Sequence, residues 1–218
     1  TITTGEDGTA QSQPLYLGRF QVKEIEFPHG MADTGENITE VELVYAGQEV
    51  EITETSASFY NQRQKVLVTL NKVLEQDETF GIGMNGEITA VTFGLYAQED
   101  ITAADGSIIP ADGLLEIVSV DENGQAMCKT DLPFGSFYLK ELSTDSHYLP
   151  SGETFPFTFE YGGPSVAVVE INANDGEAIS NELIRGEIRG MKTDENGTGL
   201  SGAVIGLFQS DETEFTAE

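Results

Sequence analysis

Apolar and polar residues alternate with period two along most of this chain, in short runs separated by turn signals. That is the pattern of half-buried β-strands. Within residues 64–182 it predicts strands at about 65–74, 90–97, 114–120, 125–130, 136–143, 155–161, 166–172 and 177–184. Turn chemistry punctuates them at Asn85-Gly86, Asp105-Gly106, Asp112-Gly113, Asn123-Gly124, Gly162-Gly163-Pro164 and Asp175-Gly176. Earlier in the chain, Val41–Tyr45, Glu49–Thr53 and Ala57–Asn61 read as strands too. No segment sustains a helical period between caps, so helix is expected to be minor. Many short strands at regular spacing predict an all-β, antiparallel sandwich.

The pattern also repeats. Leu15–Ile25 (LYLGRFQVKEI) matches Leu132–Leu142 (LPFGSFYLKEL), pairing Gly18 with Gly135, Phe20 with Phe137 and Lys23-Glu24 with Lys140-Glu141. Lys65–Lys72 leads into Val91–Tyr96 as Gly186–Lys192 leads into Val204–Phe208, and Asn61 and Asn181 each end a strand before the next unit begins. Glu24 and Glu141 lie 117 positions apart; Asn61 and Asn181, like Lys72 and Lys192, lie 120 apart. Three landmarks at nearly one spacing define a repeat. One unit is complete, 64–182; residues 1–63 supply the later strands of a preceding unit and 183–218 the first strands of a following one. The chain is expected to be a window on a tandem array.

Strand parity then isolates three polar residues. Phe137, Leu139 and Glu141 share one strand face, opposite Tyr138, Lys140 and Leu142. On that strand alone two readings stand open: an edge strand whose Glu141 reaches solvent, or a buried carboxylate that needs a partner. The strand opening the unit aims Lys72 with Val66, Val68, Leu70 and Leu74, and the closing strand aims Asn181 with Ile179 and Leu183. Three polar groups on apolar faces of three strands of one sandwich make a candidate constellation. The flanking units reproduce it in part: Glu24 with Phe20 and Val22, Asn61 with Phe59, Lys192 with Ile188.

Composition narrows the function. The formal charge is −28, from 38 acidic against 10 basic residues, so nucleic acid is not an expected partner. The acidity is dispersed, as on a soluble, self-repelling surface. Cys128 is the one cysteine; it offers neither a disulfide framework nor a cysteine metal site, and it reads as a small core residue. No stretch within these residues has the length and apolarity of a membrane span or the pattern of a signal peptide, which says little of targeting in a chain expected to be cut from a longer array.

These motifs, in this order, resemble the Cna-B/SpaA-type (collagen-binding protein B-type, prealbumin-like) repeat domains of Gram-positive surface adhesins and pilins. The likeness is carried by Lys72 on the first strand, Gly94-Leu95-Tyr96, Asp121-Glu122-Asn123-Gly124, Asp131–Glu141 and Asn181. Phe27–Met31 after Glu24 is similar to a further family segment, whereas Ser143–Pro150 after Glu141 departs from it. The resemblance implies tandem transthyretin-like (inverse Ig-like) β-sandwich repeats and an autocatalytic isopeptide bond. It assigns Lys72 as nucleophile, Asn181 as acceptor and Glu141 as acid and proton shuttle, with loss of ammonia. Burial suits this chemistry, because a dry core favours an uncharged nucleophilic amine and supplies proximity. The alternative is an ordinary buried hydrogen-bonded cluster without a covalent link. Glu24 and Asn61 lack their lysine, and Lys192 lacks its glutamate and asparagine. No bond is therefore expected in either flanking unit within one isolated chain, although strands of another molecule could complete them.

The resulting expectation is a structural stalk or pilin-like module of a cell-wall-anchored extracellular protein, not an enzyme beyond one self-crosslinking turnover, with no cofactor. Its expected partners are neighbouring repeats of the same polypeptide. Alternatives are a module recognising a host protein or glycan through loop aromatics such as Phe80, Tyr148 and Tyr161, or an accessory domain of a large secreted hydrolase. Asp121–Gly124 and Asp194–Gly197 read as turns and not as calcium loops, and His29 and His147 as surface residues. Leu149–Gly152 is internal and lacks the threonine of a sortase signal, and Asp211–Glu218 reads as solvated strand or linker.

Overall fold

A computed structural model describes residues 1–103 and 105–208; the acidic run Asp211–Glu218 lies outside them. Near the amino terminus, β1 (Gly18–Lys23), β2 (Met31–Ala32), β3 (Ile38–Leu43) and β4 (Gln62–Arg63) form two small antiparallel ribbons. In one, β1 lies against β3 with Phe20 opposite Val41 and Val22 opposite Thr39; in the other, Met31 faces Arg63. The chain then runs into the complete sandwich after the single residue Gln64, which is fully buried. The Gln64 backbone N–H donates to the Gly30 carbonyl at 2.9 Å, and its side chain bonds the Gly162–Gly163 turn. A buried amide needs all of these partners.

The sandwich is built from β5 (Lys65–Leu74), β6 (Thr92–Ala97), a small hairpin of β7 (Ile101–Thr102) and β8 (Ile108–Ile109), then β9 (Leu114–Ser119), β10 (Gln125–Met127), β11 (Gly135–Ser143), β12 (Thr154–Phe159), β13 (Val168–Asn172) and β14 (Ile179–Asn181). One sheet runs β12-β11-β6-β9, antiparallel throughout. The other runs β10-β5-β13, with β14 continuing along β5 beyond a 3-10 turn at Ala173–Gly176. The alternating positions meet between them: Val68, Leu70, Phe93, Leu95, Phe137, Leu139 and Phe155 are all buried in one cluster. This is sheet-on-sheet packing of inward faces.

Several expectations change. The sandwich is not antiparallel everywhere, because β13 and β14 both run parallel to β5. Alternation specifies faces and is silent on direction; the closing strand enters beside the opening one from the same end. Glu49–Thr53 and Ala57–Asn61 are not strands. Their alternation is sound, but no ladder satisfies their backbones, and Val50 and Ile52 stand exposed. Among the described residues helix is indeed minor, limited to 3-10 turns at Glu87–Ala90 and Ala173–Gly176.

Contacts divide the chain into Thr1–Leu183 and Ile184–Glu218. In the second unit, Gly186–Lys192 and Val204–Phe208 are not strands. The unit holds a turn in which the Asn196 and Thr198 amides donate to the Asp194 carboxylate at 2.9 and 2.8 Å. Asp121 receives Asn123 and Gln125 in the same way at 2.9 and 2.8 Å, so both Asp-Glu-Asn-Gly motifs are turns.

Candidate functional site: a buried lysine, glutamate and asparagine

Three strands deliver three polar side chains to one end of the core. Lys72 is on β5, Glu141 on β11 and Asn181 on β14, exposed by only 2%, 5% and 2% respectively. Each sits where its strand's alternation places it, after Val68 and Leu70, Phe137 and Leu139, and Ile179. Parallel pairing of β14 with β5, Ile179 beside Lys72 and Asn181 beside Leu74, brings the lysine and asparagine together although they are 109 positions apart.

The contacts are specific. Lys72 Nζ donates to Asn181 Oδ1 at 2.7 Å and to the Ile179 carbonyl at 3.1 Å. Asn181 Nδ2 donates to Glu141 Oε1 at 2.6 Å and to Thr144 Oγ1 at 3.0 Å. Glu141 Oε2 accepts the Ser151 backbone N–H at 3.0 Å and lies 3.8 Å from Lys72 Nζ. The amide is thus held across the site, its oxygen toward the amine and its nitrogen toward the carboxyl. Burial holds the Lys72 amine well below its ordinary range, at about 8, against the opposing pull of the Glu141 charge. Such an amine is neutral in a sizeable fraction of molecules near neutral pH, which the site requires if it is to attack a carbonyl.

Backbone packing fixes the lysine. Lys72 N donates to the Gly124 carbonyl at 2.6 Å, and a Cβ on Gly124 would stand 2.2 Å from the Lys72 carbonyl oxygen. Gly124 also has φ +78°, a left-handed conformation that glycine alone adopts freely. Gly124→Ala is therefore expected to lower stability by about 1–3 kcal/mol or more, because both sterics and conformation oppose it. Chemical denaturation of the variant checks this, and an unchanged midpoint would exclude the close approach.

Thr144 and Ser151 were not legible as site residues. A register shift between Glu141 and Ser143 breaks the alternation of β11 just before Thr144, and Ser151 contributes only its backbone. Elsewhere, Asn61 Nδ2 donates to Glu24 Oε2 at 3.0 Å, while Lys192, in the second unit, is exposed and donates to the Thr193 carbonyl. Cys128 is a buried core residue, as expected, and burial together with the Glu116 charge pushes its thiol up to about 12, far from a reactive thiolate. His29 and His147 are exposed, although the His29 ring lies 4.6 Å from that of Tyr161. Of the aromatics considered for recognition, Tyr148 is 2% exposed with its hydroxyl on the Glu75 carbonyl, and Tyr161 spends its hydroxyl on the Met31 carbonyl.

No protein-family model and no curated protein matches the chain. Solved structures do. The Bacillus anthracis TIE protein matches with a TM-score of 0.52 at 20% identity over 84% of this chain and 28% of its own. The minor pilin of the Gram-positive pathogen Streptococcus agalactiae matches with a TM-score of 0.37 at 16% identity over 88% and 71%. The structure neighbours are thus Gram-positive pilin subunits and the TIE protein, and the all-β fold is shared with the latter. This chain spans 28% of the TIE protein's length.

Proposed function

We propose that this chain is a structural stalk or pilin-like module of a Gram-positive cell-surface protein, and that its complete unit is stapled by an isopeptide bond between Lys72 and Asn181. The observation that carries the proposal is the buried amine 2.7 Å from the amide oxygen, with Glu141 2.6 Å from the amide nitrogen. Lys72 Nζ attacks the Asn181 side-chain carbonyl carbon. Glu141 takes a proton from the amine and delivers it to Nδ2, which leaves as ammonia. One C–N bond forms, one breaks, and Glu141 returns to its starting state. Confinement of both partners in a packed core supplies the proximity that a solution reaction lacks.

The position of the bond suits a module under tension. Lys72 is near the end of β5 and Asn181 is at the end of β14, and the two strands run parallel. A pull entering at Gln64 travels along β5, crosses the new bond and leaves after Asn181. Strands β6 to β13 then lie off the loaded path, so hydrogen-bond ladders no longer carry the force. Association with neighbouring repeats and anchoring at the cell wall follow as parts of the same proposal.

Intact-mass spectrometry of the purified protein tests it. The expected mass is lower than that of the plain sequence by one ammonia, with a Lys72–Asn181 branched peptide after digestion. A mass equal to the plain sequence would leave an ordinary hydrogen-bonded cluster and end the proposal.

A further inference from the structure

An asparagine followed by glycine is a reactive pair as well as a turn signal, because a glycine nitrogen without a neighbouring Cβ reaches the asparagine side-chain carbon easily. The chain has three such pairs, Asn85-Gly86, Asn123-Gly124 and Asn196-Gly197. The fold treats them differently. The Gly124 N–H donates to the Asp121 carbonyl at 3.0 Å, and the Gly124 carbonyl accepts the Lys72 N–H at 2.6 Å. That glycine is buried, so moving it disturbs β5. The Gly197 N–H donates to the Asp194 carbonyl at 3.2 Å. It does so inside the turn whose Asn196 and Thr198 amides hold the Asp194 carboxylate. In both pairs the nitrogen that would attack is already engaged.

Asn85-Gly86 is built the other way. Both residues are exposed, and the Gly86 N–H has no acceptor among the described residues. A Cβ on Gly86 would meet nothing within 4 Å, so the surroundings leave room for a ring to close. The neighbouring groups are the ones held. The Gly83 and Asn85 amides donate to the Glu87 carboxylate at 3.1 and 2.7 Å, and Asn85 Nδ2 donates to the Gly81 carbonyl at 2.6 Å. This last bond can persist during attack, since the tetrahedral carbon still carries that nitrogen. It is lost when the nitrogen leaves.

We propose that Asn85 is a site of spontaneous conversion to aspartate and isoaspartate, selected by the fold from the three pairs, and that the conversion unties the loop between β5 and β6. The Gly86 nitrogen bonds to Asn85 Cγ and gives up its proton. Nδ2 takes a proton and leaves as ammonia, closing a succinimide. Water then opens the ring at either carbonyl, which yields aspartate or isoaspartate. The product carboxylate cannot donate, so the Gly81 carbonyl loses its partner. A new negative charge also arises beside the Glu87 carboxylate, which holds the Asn85 amide. The isoaspartate form lengthens the main chain just before the 3-10 turn at Glu87–Ala90. The same loop is closed by two backbone bonds of 3.0 Å between Asp77 and Ile82, and it presents Phe80 and Met84 at 49% and 58% exposure. Conversion therefore changes, with the age of the molecule, the surface on which these two side chains stand.

Peptide mapping by mass spectrometry, on the full chain held over a time course in mildly alkaline buffer, tests the selection. Asn85 is expected to convert first, about tenfold or more ahead of Asn123, the factor that one net backbone hydrogen bond is worth. In denaturant that gap closes, because the three pairs share one chemistry once the fold is gone. Asn123 or Asn196 converting as fast as Asn85 in the folded chain overturns the selection. A gap of the same size in denaturant traces it to local sequence and overturns it too. Amide hydrogen exchange tests the untying. The Ile82 and Gly83 amides are expected to exchange about tenfold faster in Asn85→Asp, an exposed position that does not threaten folding, than in the parent. Equal exchange in the two proteins overturns that part. The stapling proposed above is read apart in the same spectra: a staple removes one ammonia outright, whereas conversion replaces the amide nitrogen by oxygen.

Discussion

Glu141→Gln leaves Lys72 and Asn181 unlinked and lowers the free energy of unfolding by about 5 kcal/mol, the constraint on the unfolded chain that closing a loop of roughly 100 residues provides. Lys72 and Asn181 lie 109 positions apart, so the proposed bond encloses almost the whole unit within its loop. Glutamine nearly conserves volume and fills the space between Asn181 Nδ2 and the Ser151 N–H, which keeps the packing cost small. What it cannot do is carry a proton from Nζ to Nδ2. The melting temperature of the unit falls by roughly 20 °C, as expected for such a change in a domain of this size. Calorimetry and intact mass on the same samples check the prediction together. A hydrogen-bonded cluster with no bond would answer the substitution with about 1–3 kcal/mol from one disturbed buried contact. It would also show no ammonia-sized mass difference between variant and parent, only that of the substitution itself. A variant that still lacks one ammonia would remove Glu141 from the chemistry altogether.

Why the site was readable from sequence is a matter of parity. An inward-facing lysine among Val66, Val68 and Leu70 is costly unless partnered, and so are an inward glutamate and asparagine. The strand of Glu141 taken alone left solvent exposure open; its side chain is fully buried, which shows that the apolar neighbours on its face were the stronger signal. The repeat supplied what parity could not, because the shared spacing tied Glu24 to Asn61 as it tied Glu141 to Asn181, and both pairs are hydrogen-bonded. Direction stayed hidden. Nothing in the alternation of Ile179–Asn181 says that it runs parallel to β5, yet that direction sets Lys72 against the asparagine. Thr144 stayed hidden because a register shift moved it off the parity of its strand. Glu49–Thr53 and Gly186–Lys192 show the opposite error: strand-like sequences without a ladder partner do not become strands.

Between pH 8 and 10.5 Glu141→Gln is expected to gain stability from Lys72 as base is added, and the parent protein is not. The folded-state amine of Lys72 sits at about 8 against an ordinary value of 10.5, through burial. A lysine lowered in the folded state binds fewer protons there than in the unfolded chain. Its contribution is therefore a penalty, fully present below the folded value and relieved as pH rises toward the unfolded one. For an unlinked chain that penalty is on the order of 3 kcal/mol. In Glu141→Gln the carboxylate that pulls the amine upward is gone, so the folded value falls further and the window begins at or below pH 8. Stability of this variant is expected to climb across the window. In a parent linked as proposed, the same nitrogen is an amide and does not titrate, so Lys72 contributes no slope. Chemical denaturation of both proteins at pH 7.5, 9 and 10.5, read as the difference between them, isolates the term because every titrating group other than Lys72 and the substituted Glu141 is shared. A difference that stays constant across the three pH values would mean that the Lys72 amine is free in both proteins or in neither, and the assignment of the crosslink to this nitrogen would fail.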